Sequence, residues 1–349
     1  MTAPITIAID AMSGDHGHTV AVDAALSALH EHPALHLILV GDDKALHAAL
    51  HHRHSRQSAR LRLRHASEVV GMDELPSKAL RGKKDSSMRV AVDLVKEGQA
   101  QAAVSAGNTG ALMAISRFVL KMLPGIERPA IITAIPSLHG HTHVLDLGAN
   151  VQCSAEQLFQ FAVMGAALAT ALDGDEKPRV ALLNIGEEEI KGNETIKQAA
   201  ALIAASGLNY VGFVEGDGIF LQDVDVVVCD GFAGNVALKS AEGAIKLVRH
   251  VMKQEFSKNG WTKARAYAAK PVLENFAKRI DPRGYNGAAL LGLQGTVIKS
   301  HGSADAFAFA RAIGIAIKEV QQAVPARISN LMAAAQHLLQ PPSAAAVQH

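Results

Sequence analysis

The chain has 349 residues, 49% of them apolar and 19% charged, enough for one large α/β domain or two ordinary ones with a substantial core. Aromatics are only 4%, so Ala, Val, Leu and Ile must build that core, and a formal net charge of +1 gives no global basic field for nucleic acid. Cys153 and Cys229 lie far apart and form no CxxC pair, which excludes a disulfide framework and fits a reducing cytosol.

The N-terminus passes straight into a strand-like run at 5–10 without a basic n-region, so no signal peptide is expected. Short β-branched runs predict further strands at 35–40, 61–65, 102–105, 130–135, 143–146, 180–184, 210–214 and 224–229. Helical patterns between them include 87–97, 109–121, 155–172, 194–205 and 235–254. This alternation predicts an α/β fold, a largely parallel open sheet with helices on both faces. No internal repeat is visible, and His51 to His54 read as a surface loop. The longest apolar stretch, 161–172, is shorter than the ~18 residues a membrane span needs and reads as a buried helix. One domain over 1–339 is expected in the cytoplasm, with a disordered tail at 340–349.

The loops at the strand ends carry the functional signal. The first three are Asp10-Ala-Met-Ser-Gly-Asp15, Ser105-Ala-Gly-Asn-Thr-Gly110 and Asp146-Leu-Gly-Ala-Asn150. Later strands run into Asn184-Ile-Gly-Glu-Glu-Glu-Ile-Lys-Gly192, Glu215-Gly-Asp-Gly218 and Asp230-Gly-Phe-Ala-Gly-Asn235. In an open parallel sheet these six loops share one edge, where small ligands bind.

Several chemistries are disfavoured. There is no GxxxxGK[ST], no GxGxxG after the first strand, no HExxH and no GxSxG elbow. His139-Gly-His-Thr-His143 reads as a polar hairpin loop, so no metal centre is expected there, and helix capping explains the loop carboxylates as well as Mg²⁺ does. Cys153 reads as a buried, inert thiol. A phosphate site fares better. Gly107, Asn108, Thr109 and Gly110 join a strand to an apolar helix, where amides and dipole favour an anion. The same spacing suits an ordinary capped turn. Lys191, Lys239 and Lys299 are placed to complete an anion site.

These loops, in this order, resemble those of the bacterial phosphate acyltransferases, the acyl-carrier-protein:phosphate transacylases that begin phospholipid synthesis. The likeness covers nearly the whole chain. It adds Lys83-Lys-Asp-Ser-Ser-Met-Arg89, Arg128-Pro129, Tyr285-Asn-Gly-Ala-Ala289 and Ile298-Lys-Ser-His-Gly-Ser303 to the loops above. Ser13 departs from the glycine expected at its position. The resemblance implies a fold related to phosphotransacetylases and isocitrate/isopropylmalate dehydrogenases, with a late β-hairpin. It also implies a homodimer and no redox cofactor.

On that reading, phosphate attacks the carbonyl of a long-chain acyl thioester on acyl carrier protein, and a downstream membrane glycerol-3-phosphate acyltransferase consumes the acyl phosphate. Lys191 and the 107–110 amides hold phosphate, Asn235 donates to the developing oxyanion, and Asp230 orients one of them. Asp10, Lys84, Asp85, Ser86, Asn184, Lys239 and His301 shape the substrate site.

Residues 254–283 hold the only tryptophan, Trp261, with Phe256 and the cations Lys263, Arg265 and Lys270; Val272, Leu273, Phe276 and Ile280 recur at helical spacing. Such a projecting basic amphipathic segment suits peripheral contact with an anionic membrane, the acidic carrier protein, or a second subunit. Two other functions fit parts of the pattern: a short-chain phosphotransacetylase using acyl-CoA, and a non-catalytic phosphate or acyl-lipid binding protein.

Overall fold

The computed structural model describes residues 4–279 and 281–339. The chain opens with β1 (Ile5–Asp10), α1 (His18–Glu31), β2 (Leu35–Gly41), α2 (Asp43–His52), β3 (Leu61–His65), α3 (Pro76–Gly82), α4 (Ser87–Lys96), β4 (Ala102–Ser105) and α5 (Thr109–Leu120). A second stretch comprises β5 (Ala130–Ser137), β6 (Gly140–Leu145), α6 (Ala155–Asp173), β7 (Val180–Leu183), α7 (Glu194–Ala205), β8 (Tyr210–Val214), α8 (Gly218–Leu221) and β9 (Val226–Val228). Three helices come next, α9 (Gly231–Ser257), α10 (Gly260–Ala268) and α11 (Lys270–Arg279). After a 3₁₀ turn at Pro282–Tyr285, the described chain continues through β10 (Ala288–Leu291), β11 (Thr296–Lys299), α12 (Ala306–Gln321) and α13 (Val324–Ala335).

The strands form one sheet in the order β3-β2-β1-β4-β11-β10-β5-β6-β9-β7-β8. It is largely parallel, as the alternation predicts, but β10 runs antiparallel to both β11 and β5, and β5 antiparallel to β6. Three reversals leave β6, β9, β7 and β8 pointing opposite to β1, β2, β3, β4 and β11. The expectation that six glycine loops share one rim is therefore wrong. The loops after β1 and β4 lie at one edge, and those after β6, β7, β8 and β9 at the other. Local periodicity reports that a segment is a strand, not which way it enters the sheet.

Two apolar layers cover the sheet, one through α1, α6, α7, α12 and α13, the other through α4 and α5. Helix α6 anchors the first. Its start is a capping box, Ser154 Oγ accepting from Gln157 N while Gln157 accepts from Ser154 N, and it ends at Gly174 in the left-handed conformation. Its length and composition are those of a membrane span, yet 83% of its most apolar stretch is buried, so it is the core helix the sequence suggests. Gly165 permits that packing, since a Cβ there would meet Val226 Cγ1 at 2.6 Å.

Helix α9 begins four residues before the predicted start, because Asp230 Oδ1 accepts from Ala233 N and caps it. At 27 residues it is roughly 40 Å long. Only Gly231 and Gly234 are buried; Ala233, Ala237 and Leu238 pack partly on the apolar layer of the sheet, and the later turns extend with α10 and α11 as a helical arm. Ile280, part of the predicted apolar stripe, and the predicted disordered tail at 340–349 lie outside the described residues.

Candidate active site

Three strand ends build the floor of the site. Asp10, Ser105 and Lys299 are the last residues of β1, β4 and β11, adjacent strands whose register sets Asp10 beside Ser105 and Ser105 beside Lys299. In-register residues of parallel strands project from the same face. Ser105 Oγ donates to Asp10 Oδ2 at 2.6 Å, while Asp10 Oδ1 is buried with no partner. Burial pushes the Asp10 carboxyl above its usual range, against the opposing hydroxyls of Ser105, Ser87 and Ser13. Lys299 is 9% exposed, its Nζ donating to the carbonyls of Ala106 and Ser300. Burial pulls its pKa down to about 8, with Asp10 and Asp15 holding it up and Lys239 pushing it further down. Its protonation therefore changes within about a unit of neutrality.

Helix α9 brings the second edge to this floor. Asn235 and Lys239 are one turn apart on the same face of α9. Asn235 packs on Gly148 in the loop after β6, where a Cβ would lie 3.3 Å from Asn235 Nδ2 and φ is +123°. Lys239 lies close enough to Lys299 and His301 for its charge to depress both. His301 is lowered first by burial, and its Nδ1 meets Ser303 Oγ at 2.9 Å.

The other predicted residues divide between this cleft and structural work. Asn108 caps α5 through Ala111 N, and its Nδ2 donates to the carbonyls of Met72 and Glu74. The Gly107 amide is already taken by Ser105 Oγ, and Gly110 packs on Pro76. Of the 107–110 turn, the amides of Asn108, Thr109 and Gly110 remain for an anion. Ser86 caps α4, Asp85 accepts from Ser67 N and Oγ, and Lys84 is exposed. Asp146 accepts from Ile131 N, Ala149 N, Asn150 N and Asn150 Nδ2, so this buried carboxylate builds its own turn. Asp230 is spent as the α9 cap; among the described residues it makes no hydrogen bond to Lys191 or Asn235.

Lys191 stands exposed on the loop after β7, its methylenes against Gly186. That loop is at the far edge from the 107–110 turn, and no hydrogen bond or ion pair joins the two among the described residues. Asn184 sits under the same loop with a buried, unpartnered Nδ2 against Gly192. Burial raises the Cys153 thiol to about 12 and lifts Cys229 well above its ordinary value, so neither is a thiolate nucleophile near neutral pH. Sequence reading named Lys299 only as an accessory cation and passed over the Ser105 hydroxyl. The available signal was a polar residue closing three short, mostly apolar strands.

Comparison with known proteins places the whole chain. A family model described as fatty acid synthesis protein matches residues 5–327. A phosphate acyltransferase of Methylococcus capsulatus is 63% identical over 94% of this chain and 96% of its own length. One of Alkalilimnicola ehrlichii is 59% identical over 96% and 99%. Among solved structures, a phosphotransacetylase from Streptococcus pyogenes aligns with TM-score 0.65 at 17% identity, covering 91% of this chain and 94% of that one. A branched-chain phosphotransacylase from Enterococcus faecalis aligns at 0.56 and 15%, covering 90% and 99%. Likeness at that identity concerns the fold.

Proposed function

Since the chain belongs to the phosphate acyltransferase family and is an enzyme of that activity, we propose that its acyl donor is a long-chain thioester of acyl carrier protein and that its acyl phosphate product supplies phospholipid synthesis. Phosphate near pH 7 is already a nucleophile, and a thiol with a pKa of about 8.5 leaves with little acid help. The protein's task is to position the two reactants and stabilise the oxyanion that develops on the carbonyl.

The observation that carries this reading is the Asp10–Ser105–Lys299 row with Lys239 facing it from α9. In the proposed mechanism Lys299 and Lys239 hold phosphate together with the amides of Asn108, Thr109 and Gly110. Asn235, on the same face of α9 as Lys239, donates to the carbonyl oxygen as it becomes negative. Asp230 acts through the cap that fixes the start of α9. Lys191, the phosphate lysine that the family likeness implies, reaches the anion only if the loop after β7 closes over the α9 face. One phosphate oxygen attacks the carbonyl carbon, the tetrahedral centre collapses, and the carbon–sulfur bond breaks to release the carrier thiolate.

The helical arm is assigned to the partner and membrane side. Trp261 is 67% exposed with Arg265 over its ring, and Tyr267 on α10 and Val272 on α11 are exposed as well. Phe256 is half-buried, Lys263 is exposed, and Lys270 pairs with Glu274. Leu247 and Val251, one turn apart on α9, present an apolar face that suits a second copy of the chain.

The test mixes pure protein, palmitoyl-acyl carrier protein and phosphate, and measures free thiol and hydroxylamine-trappable acyl phosphate over time. Both should appear in equal amounts. Faster turnover of acetyl-CoA than of the long-chain carrier substrate would replace this reading with a short-chain phosphotransacetylase.

A further inference from the structure

We propose that His141, His143 and Asp173 form a binding site for a zinc-class divalent transition metal, separate from the acyl-transfer cleft. The run 139–143, expected as a polar hairpin loop, is turn only at its start; residues 140–143 belong to strand β6, with Thr142 and His143 buried, and the strand sets two imidazoles on one carboxylate. His141 and His143 alternate along β6 and therefore project from the same face. Their Nε2 atoms converge on Asp173, His141 at 3.1 Å from Oδ1 and His143 at 2.7 Å from Oδ2. The three ligand atoms all lie within 4.8 Å of one another. A tetrahedral zinc ion with bonds of about 2.0–2.1 Å sets its ligands roughly 3.3 Å apart, so closing on a metal needs only small side-chain rotations.

The donors are held by rigid elements. Strand β6 is paired on both sides, His143 opposite Ala134 of β5 and Val226 of β9. The His143 side chain is 4% exposed, and its ring meets that of His141 edge to face with centroids 4.9 Å apart. Asp173 is the last residue of α6, a helix with no basic residue in its final turn. A carboxylate there opposes the negative end of the helix dipole, an arrangement that costs stability unless a cation sits against it. The imidazoles hydrogen-bond that carboxylate, and a metal ion would supply a full cation.

Two histidines and one carboxylate are a ligand set used by zinc and by other first-row metals, which leave further positions to water. His141 and Asp173 are 34% and 31% exposed, which gives an entry path and room for that water. Nearby, Asp225 adds negative charge, although Arg179 engages it, and Lys318 subtracts some. The site occupies the start of β6, and the Asp146 turn the end, roughly 10 Å along the strand from His143. A bound ion would staple α6 to β6 beneath the catalytic loops without entering the reaction.

The full-length protein is titrated with Zn²⁺ by equilibrium dialysis and with Co²⁺ by visible absorption, alongside thermal unfolding. The inference predicts one tightly bound ion per chain, a Co²⁺ ligand-field band, and a higher unfolding temperature. In His141→Ala and Asp173→Asn, affinity should fall by more than the roughly 10–100-fold that loss of an outer-shell partner causes. The exposed His51, His52 and His54 provide a competing site, so their triple alanine variant should retain the ion. Binding that survives in His141→Ala but vanishes in the triple variant, or no binding below millimolar Zn²⁺, overturns the proposal.

Discussion

The most discriminating experiment concerns Lys299, because its titration moves phosphate affinity and stability in opposite directions. With a pKa near 8, brought down from 10.5 mainly by burial, the ammonium is about 90% charged one unit below and about 10% charged one unit above. Deprotonation of Lys299 alone should raise the phosphate KM roughly tenfold between pH 7 and pH 9, and the part of that rise that Lys299→Met abolishes comes from the protein rather than from phosphate's own titration. Stability runs the other way. The folded state releases its proton near pH 8 and the unfolded chain near 10.5, so the cost of burying the charge is present below 8 and relieved as pH rises between the two. Lys299→Met should remove the pH dependence of KM and raise its value at pH 7 by roughly 10–150-fold, the equivalent of a charged hydrogen bond of 1.5–3 kcal/mol. Thiol-release kinetics at varied phosphate, paired with calorimetry over the same pH range, measure both quantities. A phosphate KM that stays flat from pH 7 to pH 9, or that climbs equally in Lys299→Met, refutes the role given to this lysine.

Asn235→Ala should lower kcat by roughly 10²–10³-fold with little change in unfolding temperature, the signature of a lost oxyanion donor; near-normal turnover removes it from the mechanism. Glu319, buried on α12 with an unpartnered oxygen, has its pKa raised to about 8 by burial. The folded protein thus holds that proton between 4.5 and 8, and stability is lost as pH rises through this window. Glu319→Gln should remove a decline of roughly 3–5 kcal/mol between pH 5 and pH 9, measured by denaturant titration; parallel curves for variant and wild type would contradict this. Replacing both Trp261 and Phe256 by alanine should reduce co-sedimentation with anionic liposomes, and unchanged sedimentation would place the membrane contact elsewhere.

Strand identity was legible in the sequence because β-branched runs ended by glycine turns leave a local mark. Strand order was not, since β10 and β11, more than 150 residues beyond β4 and β5, insert between them. The net reversal comes from the β5–β6 hairpin, because the two antiparallel pairings of β10 cancel. Capping was equally legible, since Asp230 and Asn108 sit three residues before the amides they accept. The Asp10–Ser105–Lys299 row was hidden because it exists only once β11 pairs with β4. Likewise His141 and His143 read as loop residues, because the strand starts three residues earlier than its β-branched run, and nothing local pointed to Asp173 thirty residues later on a different element. The residues carried over by family likeness fall in different places: Asn235 packs on Gly148 and Lys239 lies near Lys299 and His301, while Asp230, Ser86 and Asp85 hold turns and helix starts.

The insertion of β11 beside β4 has a temporal consequence. During synthesis the ribosome delivers Asp10 and Ser105 long before Lys299, and the neighbour that completes their side of the sheet is made only in the last sixth of the chain. Until then, β4 exposes a bare edge of the kind that invites pairing with other chains. A nascent or prematurely ended polypeptide is thus both inactive and prone to stick, and the polypeptide's last segment acts as the closing piece that retires this hazard and brings the buried lysine into place in the same event.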